Sequence, residues 1–196
     1  MAISLEKSLV VPDYPIWRFS VEQYHEMIRA GFLTEDDPVE LLEGWLVTKM
    51  PKNPPHTLAT QLTREALARI VPSGWHVTDQ EPITTADSEP EPDIVVVRGS
   101  LRDYFERHPS PSDIARVVEV SDATLQRDRT LKLRVYAGAR IPVYWILNLP
   151  DRQLEVYSDP EQAAYRRQVI HREAESVSVV IGSQDVGRIP VRDFLP

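Results

Sequence analysis

The sequence of 196 residues contains no cysteine, only seven glycines and no apolar run that approaches the length of a membrane span. The absence of cysteine excludes disulfide scaffolds, cysteine nucleophiles and thiolate metal sites, and it suits a reducing cytosol. A helix that crosses a bilayer needs about 20 apolar residues, and residues 1–11 lack the basic-then-apolar order of a signal peptide. These absences predict a cytoplasmic protein without membrane association.

Several catalytic motifs are also missing. The sequence has no glycine-rich phosphate loop, no Gly-x-Ser-x-Gly nucleophile elbow and no His-Glu-x-x-His zinc helix. A glycosidase would need paired carboxylates in a sugar cleft lined by aromatic residues, and nothing in the sequence demands such a cleft. These chemistries therefore find little support.

The chain does contain enough apolar sequence for one compact core. Hydrophobic residues make up 42% and charged residues 27%, and the length corresponds to about one domain. The 22 Lys and Arg residues against 30 Asp and Glu residues give a net charge of -8. This balance argues against a general nucleic-acid coat, because phosphate neutralisation needs clustered cations.

Charge is nevertheless segregated along the chain. Residues 79–93 hold six acids and no Lys or Arg, whereas residues 127–140 hold five cations and one acid. In a fold, the two segments could meet around a bound cation and a bound polyanion. Two solvated faces explain the same pattern, and on charge alone that explanation is favoured.

Capping signals and apolar spacing predict three main helices and a hairpin. The helices are expected at 20–30, 56–71 and 128–139. Ser20 and Gln23 form a capping box at the start of the first helix, and Gly31 ends it. The acidic-Gly turn Glu43-Gly44, flanked by apolar strands, predicts a β-hairpin over 39–50.

From Trp75 onward the apolar period changes to two, which predicts strands. They are expected at 75–78, 94–97, 115–120, 143–147, 154–157, 165–170 and 177–181, with a short helix at 101–107. Strands 94–97 and 115–120 are apolar on both faces and are therefore predicted to be central. The helix between strands 115–120 and 143–147 predicts a parallel, right-handed crossover.

Two carboxylates lie in or beside these apolar strands. Glu119 interrupts an aliphatic run, and a buried ionised carboxylate is costly unless a cation or a donor compensates it. Alternation places Glu119 on the same face as Val117 and Ser121. Asp93 stands directly before strand 94–97. If the two strands are neighbours, both carboxylates converge on one point.

Converging carboxylates, a main-chain carbonyl and water form an oxygen cage for a hard divalent cation. Magnesium keeps several waters, so two protein carboxylates suffice. Such a metal activates water for phosphodiester cleavage, and a nearby lysine orients or deprotonates that water. Lys132, in the basic helix that follows Glu119, is the candidate.

Each of these residues also has an ordinary explanation. Asp93 could form a turn before its strand, which is a common role for aspartate. Glu119 could form a structural ion pair with an arginine such as Arg134. Lys132 alone would be a solvated helix residue in most proteins.

Four segments, in chain order, resemble the bacterial "putative restriction endonuclease" family, formerly a domain of unknown function, within the PD-(D/E)XK nuclease superfamily. They are Glu91–Val97, Val118–Ser121, Arg127–Ala137 and Ile141–Ile146, with a further match at Glu40–Gly44 and His56. The resemblance covers about residues 18–158. It implies an α/β fold of the α+β type, a restriction-endonuclease-like core with a central mixed β-sheet flanked by helices.

The resemblance also implies a set of site residues. Asp93, Glu119 and the Val120 carbonyl are expected to bind Mg2+, or Mn2+ in its place, and Lys132 is expected to replace the usual strand lysine, whose position Ser121 occupies. Glu40 and Glu43 match acidic positions around the early hairpin, and either could be a plain hairpin polar residue. His56 matches a histidine at the start of the following helix, and Asp128 is expected to cap the third helix.

The implied function is a metal-dependent endodeoxyribonuclease with DNA as its substrate. A homodimer is expected, because double-strand cutting benefits from two sites and the apolar C-terminal strands could pair. The alternative is a catalytically inactive nuclease-fold protein that binds nucleic acid or another partner. Ser121 in the lysine position and the net charge of -8 motivate that alternative. The expected organisation is an N-terminal arm (1–17), a nuclease domain (18–158) and a C-terminal β extension of the same domain (159–196).

Overall fold

The computed structural model describes residues 15–34 and 36–196. Most of the predicted arm, residues 1–14, lies outside the described residues. The helices are α1 (Val21–Arg29), α2 (Pro54–Ala68), α3 (Leu125–Arg127) and α4 (Leu133–Gly138). The strands are β1 (Val39–Leu42), β2 (Trp45–Thr48), β3 (Trp75–Asp79), β4 (Ile94–Arg98), β5 (Ile114–Ser121), β6 (Val143–Asn148), β7 (Gln153–Glu161), β8 (Ala164–Arg172), β9 (Ser176–Ile181) and β10 (Gln184–Pro190).

A six-stranded sheet forms the centre, in the order β3-β4-β5-β6-β7-β8. The β5–β6 pair is parallel, and the other four pairs are antiparallel. This confirms the predicted mixed sheet, the central position of β4 and β5, and the parallel connection through the third helical region. The predicted short helix at 101–107 is a single 3-10 turn, Leu101–Tyr104.

The central strands β4, β5 and β6 are buried because each face of the sheet is covered there by a separate apolar layer. On one face, Val118, Val120 and Trp145 pack under α2 and the β9–β10 hairpin. On the other face, Val117 and Tyr144 pack against side chains of α4. Alternation along β5 therefore places Glu119 on the α4 side, as its spacing from Val117 predicted.

The β1–β2 hairpin closes through the predicted turn. Glu43 and Gly44 have φ values of 49° and 78°, which is the left-handed region that glycine adopts without cost. A Cβ atom at Gly44 would lie 2.6 Å from the Cβ of Arg18. Only glycine allows the segment before α1 to pass this close, with Phe19 N–H donating to the Gly44 carbonyl at 2.9 Å. The turn thus fixes where β1 lies against the sheet.

The second and third helices begin earlier than predicted. Helix α2 starts at Pro54 because Asn53 is its N-cap, accepting from His56 N–H, and prolines suit the first helical turn. The third helical region starts at Leu125 with Thr124 as its N-cap. Asp128 therefore lies one turn inside the helix and does not cap it, which corrects the prediction.

The third helical region is also not a regular α-helix. A π-helical turn, Asp128–Lys132, separates α3 from α4, and Leu133 N–H donates to the Asp128 carbonyl five residues earlier. We call the continuous run 125–138 the lysine helix. Both Asp128 and Lys132 are buried within it.

Residues after β7 add three further strands. Strand β8 extends the central sheet, and β9 pairs with β10 in a separate antiparallel hairpin. Strand β10 was not predicted, because Gly187 and the irregular register between Asp185 and Gly187 interrupt its period of two. Within the described residues, no helix is long and apolar enough to cross a membrane.

Candidate active site

A cavity of about 100 Å³, lined largely by charged residues, opens where β4 begins and β5 ends. It is lined by the predicted site residues Glu40, His56, Asp93, Glu119, Val120, Asp128 and Lys132. These residues come from β1, α2, the entry to β4, the end of β5 and the lysine helix. The fold thus brings together seven positions that are spread over about half of the chain.

Asp93 and Glu119 meet because β4 and β5 are antiparallel neighbours. Ile94 pairs with Val118, so the next residues outward, Asp93 and Glu119, face each other across the two strands. One oxygen of Asp93, Oδ2, accepts from the backbone N–H of Val120 at 2.8 Å. This bond fixes the carboxylate at the strand end.

Lys132 lies between two carboxylates. Its Nζ donates to Glu40 Oε2 at 2.7 Å and lies 3.1 Å from Glu119 Oε1. All three side chains are buried, with Lys132 only 2% exposed. The ion pair that stabilises Glu119 is therefore formed by Lys132, whereas Arg134 pairs with Glu43 instead.

The electrostatics of the site are set by burial and by like charges. Burial, followed by the neighbouring Asp93, Asp128 and Glu40 charges, raises the pKa of Glu119 to about 8, although Lys132 opposes the shift. Burial lowers the pKa of Lys132, but the Glu119 and Glu40 carboxylates outweigh it and the net shift is upward. Lys132 is thus an ammonium ion at neutral pH.

Tyr136 is a site residue that the sequence reasoning did not single out. Its hydroxyl donates to Glu119 Oε1 at 2.5 Å from the buried face of α4. Burial, together with the Glu119 charge, raises the pKa of Tyr136 well above its usual value, so the phenol stays protonated. The signal was its position one helical turn after Lys132, which places both side chains on the same helix face.

His56 contributes from the first turn of α2. Its Nε2 lies 3.2 Å from Asp93 Oδ2, and its buried Nδ1 has no hydrogen-bond partner among the described residues. The imidazole therefore contacts the same Asp93 oxygen that accepts from the Val120 N–H. This places His56 in contact with the carboxylate that the resemblance assigns to the metal.

Three of the predicted residues have other roles. Glu43 does not line the cavity, because its carboxylate pairs with Arg134 at the outer surface of the hairpin. Ser121 Oγ donates to Asp128 Oδ2 at 2.7 Å, and Thr124 Oγ1 donates to the same oxygen at 2.6 Å. Ser121 and Asp128 thus anchor the start of the lysine helix to the end of β5.

The rim of the cavity carries cations that sequence reasoning did not assign to the site. Lys49, Lys52 and Arg127 line the opening together with the exposed side chain of Met50. Lys49 pairs with Glu91 at 2.8 Å. Lys49, Met50 and Lys52 lie between β2 and α2, where the sequence shows only a proline-rich break, so no chemical motif pointed to them. Arg127 is the last residue of α3.

The donor set fits a divalent cation that keeps several waters. Only one oxygen of Asp93 and one of Glu119 is engaged by protein donors in the described residues, which leaves one oxygen on each carboxylate free. The N–H and carbonyl of one strand residue point to the same side, so the Val120 carbonyl faces the same edge as its N–H. Among the described residues, no group of three or more His, Asp or Glu side chains forms a ready-made cage. Two carboxylates and a carbonyl suit Mg2+, which retains water ligands.

Comparison with known proteins gives a family and a fold. The family described as "Putative restriction endonuclease" (Uma2) matches residues 21–187. A solved structure described as a putative nuclease belonging to DUF820, from Anabaena variabilis, aligns with a TM-score of 0.63 at 16% identity, over 92% of this chain and 97% of that one. No curated protein matches the chain. The structural likeness shows the fold, and the family match over most of the chain shows that this protein belongs to the Uma2 family of putative restriction endonucleases.

Proposed function

We propose that this protein is a Mg2+- or Mn2+-dependent endodeoxyribonuclease that hydrolyses DNA phosphodiester bonds. The observation that supports it best is the convergence of Asp93, Glu119 and Lys132 on one cavity at the end of two central strands. The family's description points to the same class of chemistry. A buried cluster of carboxylates around a lysine is also costly to fold, which is typical of functional sites.

Asp93, Glu119 and the Val120 carbonyl would hold the cation. When bound, a divalent cation polarises the phosphoryl oxygen and lowers the pKa of a ligand water. Val120 N–H and His56 fix the orientation of the Asp93 carboxylate, and Tyr136 fixes that of Glu119. These contacts keep the free oxygens directed at one place.

Lys132 acts as a hydrogen-bond donor in this proposal. Because the neighbouring carboxylates, Glu40 above all at pH 7, keep it protonated, its ammonium orients the attacking water and stabilises negative charge on the phosphate. It does not take up the proton of that water. Glu40 holds the ammonium in place from β1, 2.7 Å away. A lysine from the helix thus takes the role that Ser121 leaves open on the strand.

The test is cleavage of supercoiled plasmid DNA with Mg2+ or Mn2+. We expect the wild type to nick the plasmid and Asp93→Asn, Glu119→Gln and Lys132→Met to lose at least about 100-fold in rate, as expected for electrostatic and positioning groups. Glu43→Gln is the matched control, since it makes the same kind of change outside the cavity. A wild type that cleaves no DNA, where a control nuclease does, contradicts the proposal and favours the inactive nuclease-fold protein.

A homodimer and a cytoplasmic location remain part of the proposal. Cutting both strands of a duplex benefits from two sites, which motivates the dimer. Size-exclusion chromatography with light scattering measures it directly, and a monomer at all concentrations contradicts it. Fluorescence microscopy of the tagged protein in its host checks the location.

A further inference from the structure

The segment from Lys49 to Asn53, which we call the rim loop, lies at the mouth of the cavity between β2 and α2. Met50, Pro51 and Lys52 line the same cavity as Asp93 and Glu119. A DNA phosphate that reaches the carboxylates through this cavity would therefore lie beside the rim loop. A contact between the rim loop and the nucleotides beside the scissile phosphate follows from this position, and it rests on the proposed nuclease function.

Both ends of the rim loop are fixed to the body of the protein. At its start, Lys49 N–H donates to the Pro38 carbonyl at 2.7 Å. At its end, Asn53 caps α2 and donates through Nδ2 to Asp122 Oδ2 at 2.6 Å. The loop is thus held in one place before any ligand arrives.

Proline stiffens the loop between these anchors. Pro51 has a fixed φ, and its ring restricts Met50 before it to an extended conformation. Pro54 and Pro55 continue directly into the first turn of α2. The backbone of the loop therefore loses little conformational entropy when it binds.

The chemistry that the loop presents is unusual for the edge of an acidic site. Met50 is 53% exposed, and it stands between two lysines. Lys49 is occupied by Glu91, whereas Lys52 makes no ion pair or side-chain hydrogen bond with any described residue. A single exposed apolar side chain needs no explanation elsewhere on a surface. Here it faces the place where a polyanion would lie.

Neither phosphate groups nor water provide an apolar surface against which a methionine side chain could pack. In duplex DNA, the large apolar surfaces are the faces of the bases, which are exposed only where a base step is opened. Proteins that kink DNA insert Met, Phe, Leu, Ile or Pro side chains into such steps. Met is suited to this because its flexible, polarisable side chain fills irregular apolar gaps.

We propose that the rim loop opens the duplex beside the scissile phosphate. Lys52 binds a backbone phosphate next to the cleaved one, and Met50 inserts against the bases of the adjoining step. The bound ligand is therefore distorted double-stranded DNA, and the opened step is what lets the phosphate reach the buried carboxylates.

The experiment compares two substrates and two truncations. One substrate is an intact duplex, and the other carries a single-nucleotide bulge, which supplies an opened step in advance. Met50→Ala is compared with Leu58→Ala, a matched control that truncates a similarly exposed residue (49%) on α2, outside the cavity lining. Met50→Leu tests whether another apolar side chain of similar size restores the function.

We expect Met50→Ala to slow cleavage of the intact duplex by roughly tenfold or more, because contacts with the Met50 side chain no longer offset the cost of unstacking the base step. Its rate on the bulged duplex is expected to fall by less than about threefold. Leu58→Ala and Met50→Leu are expected to keep the wild-type rates. Equal losses of Met50→Ala on both substrates, or no loss on either, overturn the proposal while leaving the nuclease function intact.

Binding supplies a second readout without cleavage. In the Asp93→Asn background, a duplex with 2-aminopurine at the step next to the preferred cleavage position is expected to brighten on binding, and Met50→Ala is expected to remove that signal. Lys52→Ala is expected to reduce the slope of log affinity against log salt by about 1. A brightening that survives Met50→Ala contradicts the insertion. A wild type that neither binds nor cleaves DNA overturns the proposed function together with this inference.

Discussion

Replacing Lys132 by methionine tests the electrostatic reasoning about the site without any substrate. The ammonium lies 2.7 Å from Glu40 and 3.1 Å from Glu119. At an effective dielectric constant of about 20, charges at these separations attract by roughly 5–6 kcal/mol per pair. Because burial raises the pKa of Glu119 to about 8, the pair with Glu40 dominates at pH 7.

Most of this attraction offsets the cost of removing the charges from water. What remains measurable is the cost of leaving one partner buried alone, which is about 3–5 kcal/mol. Lys132→Met is therefore expected to lower the free energy of unfolding by about 3–5 kcal/mol. For a chain of this size, that corresponds to a fall of roughly 6–20 °C in the midpoint temperature.

The assay is urea unfolding followed by tryptophan fluorescence, with calorimetry as the second method, both in EDTA at pH 7. Lys52→Met is the control, because an exposed lysine that pairs with no carboxylate in the described part of the chain is expected to change stability by less than about 0.5 kcal/mol. The double variant Lys132→Met/Glu40→Gln is expected to recover at least half of the lost free energy of unfolding, since it removes the buried Glu40 charge that the single variant leaves without a partner. A folded Lys132→Met protein within about 1 kcal/mol of the wild type refutes the reasoning.

Three further predictions concern pH, metal and a buried arginine. Since burial raises the pKa of Glu119 to about 8 and the unfolded side chain titrates near ~4.3, the folded state holds one more proton between these values. The wild type in EDTA should therefore lose about 1.4 kcal/mol of stability per pH unit across this window relative to Glu119→Gln, and equal slopes in urea titrations contradict the shift. Magnesium at about 100 times its dissociation constant should stabilise the wild type by about 2.7 kcal/mol, or roughly 5–10 °C, and Asp93→Asn should abolish the shift in differential scanning fluorimetry. Arg116 is buried, and no carboxylate pairs with it in residues 15–34 and 36–196; its Cζ lies 4.2 Å from the Trp145 ring centroid. Arg116→Met should raise the free energy of unfolding, measured in urea, by about 1 kcal/mol, whereas a loss shows that the cation is a net stabiliser.

The carboxylate half of the site could be predicted from the sequence because strands have a simple period. Glu119 follows Val117 by two residues, which fixed its face, and Asp93 precedes an equally apolar strand. The sequence left open whether the two strands are neighbours, and the pairing of Ile94 with Val118 in the structure supplies that adjacency. Glu43 shows the limit of the same approach, since a matching position in the family did not bring its carboxylate into the cavity.

The lysine half could not be predicted from periodicity. The π-helical turn Asp128–Lys132 interrupts the regular period of the lysine helix, so the residues before it and after it present different faces from those that a continuous α-helix would present. Both Asp128 and Lys132 are buried in this turn. No local pattern in the Arg-rich segment indicates that turn, because a lysine there is expected to be solvated.

What buries Lys132 is a set of contacts that are distant in sequence. Glu40 comes from a hairpin 92 residues earlier, and Glu155 in β7 holds Arg129 within the π-helical turn. Tyr144 donates to the Asp128 carbonyl at 3.1 Å, the same carbonyl that accepts the five-residue bond from Leu133. Each contact stabilises a helix geometry that the local sequence alone would not choose. Lys132 therefore reaches the carboxylates because residues of β1, β6 and β7 stabilise the π-helical turn. Its role depends on how the lysine helix packs against these three strands.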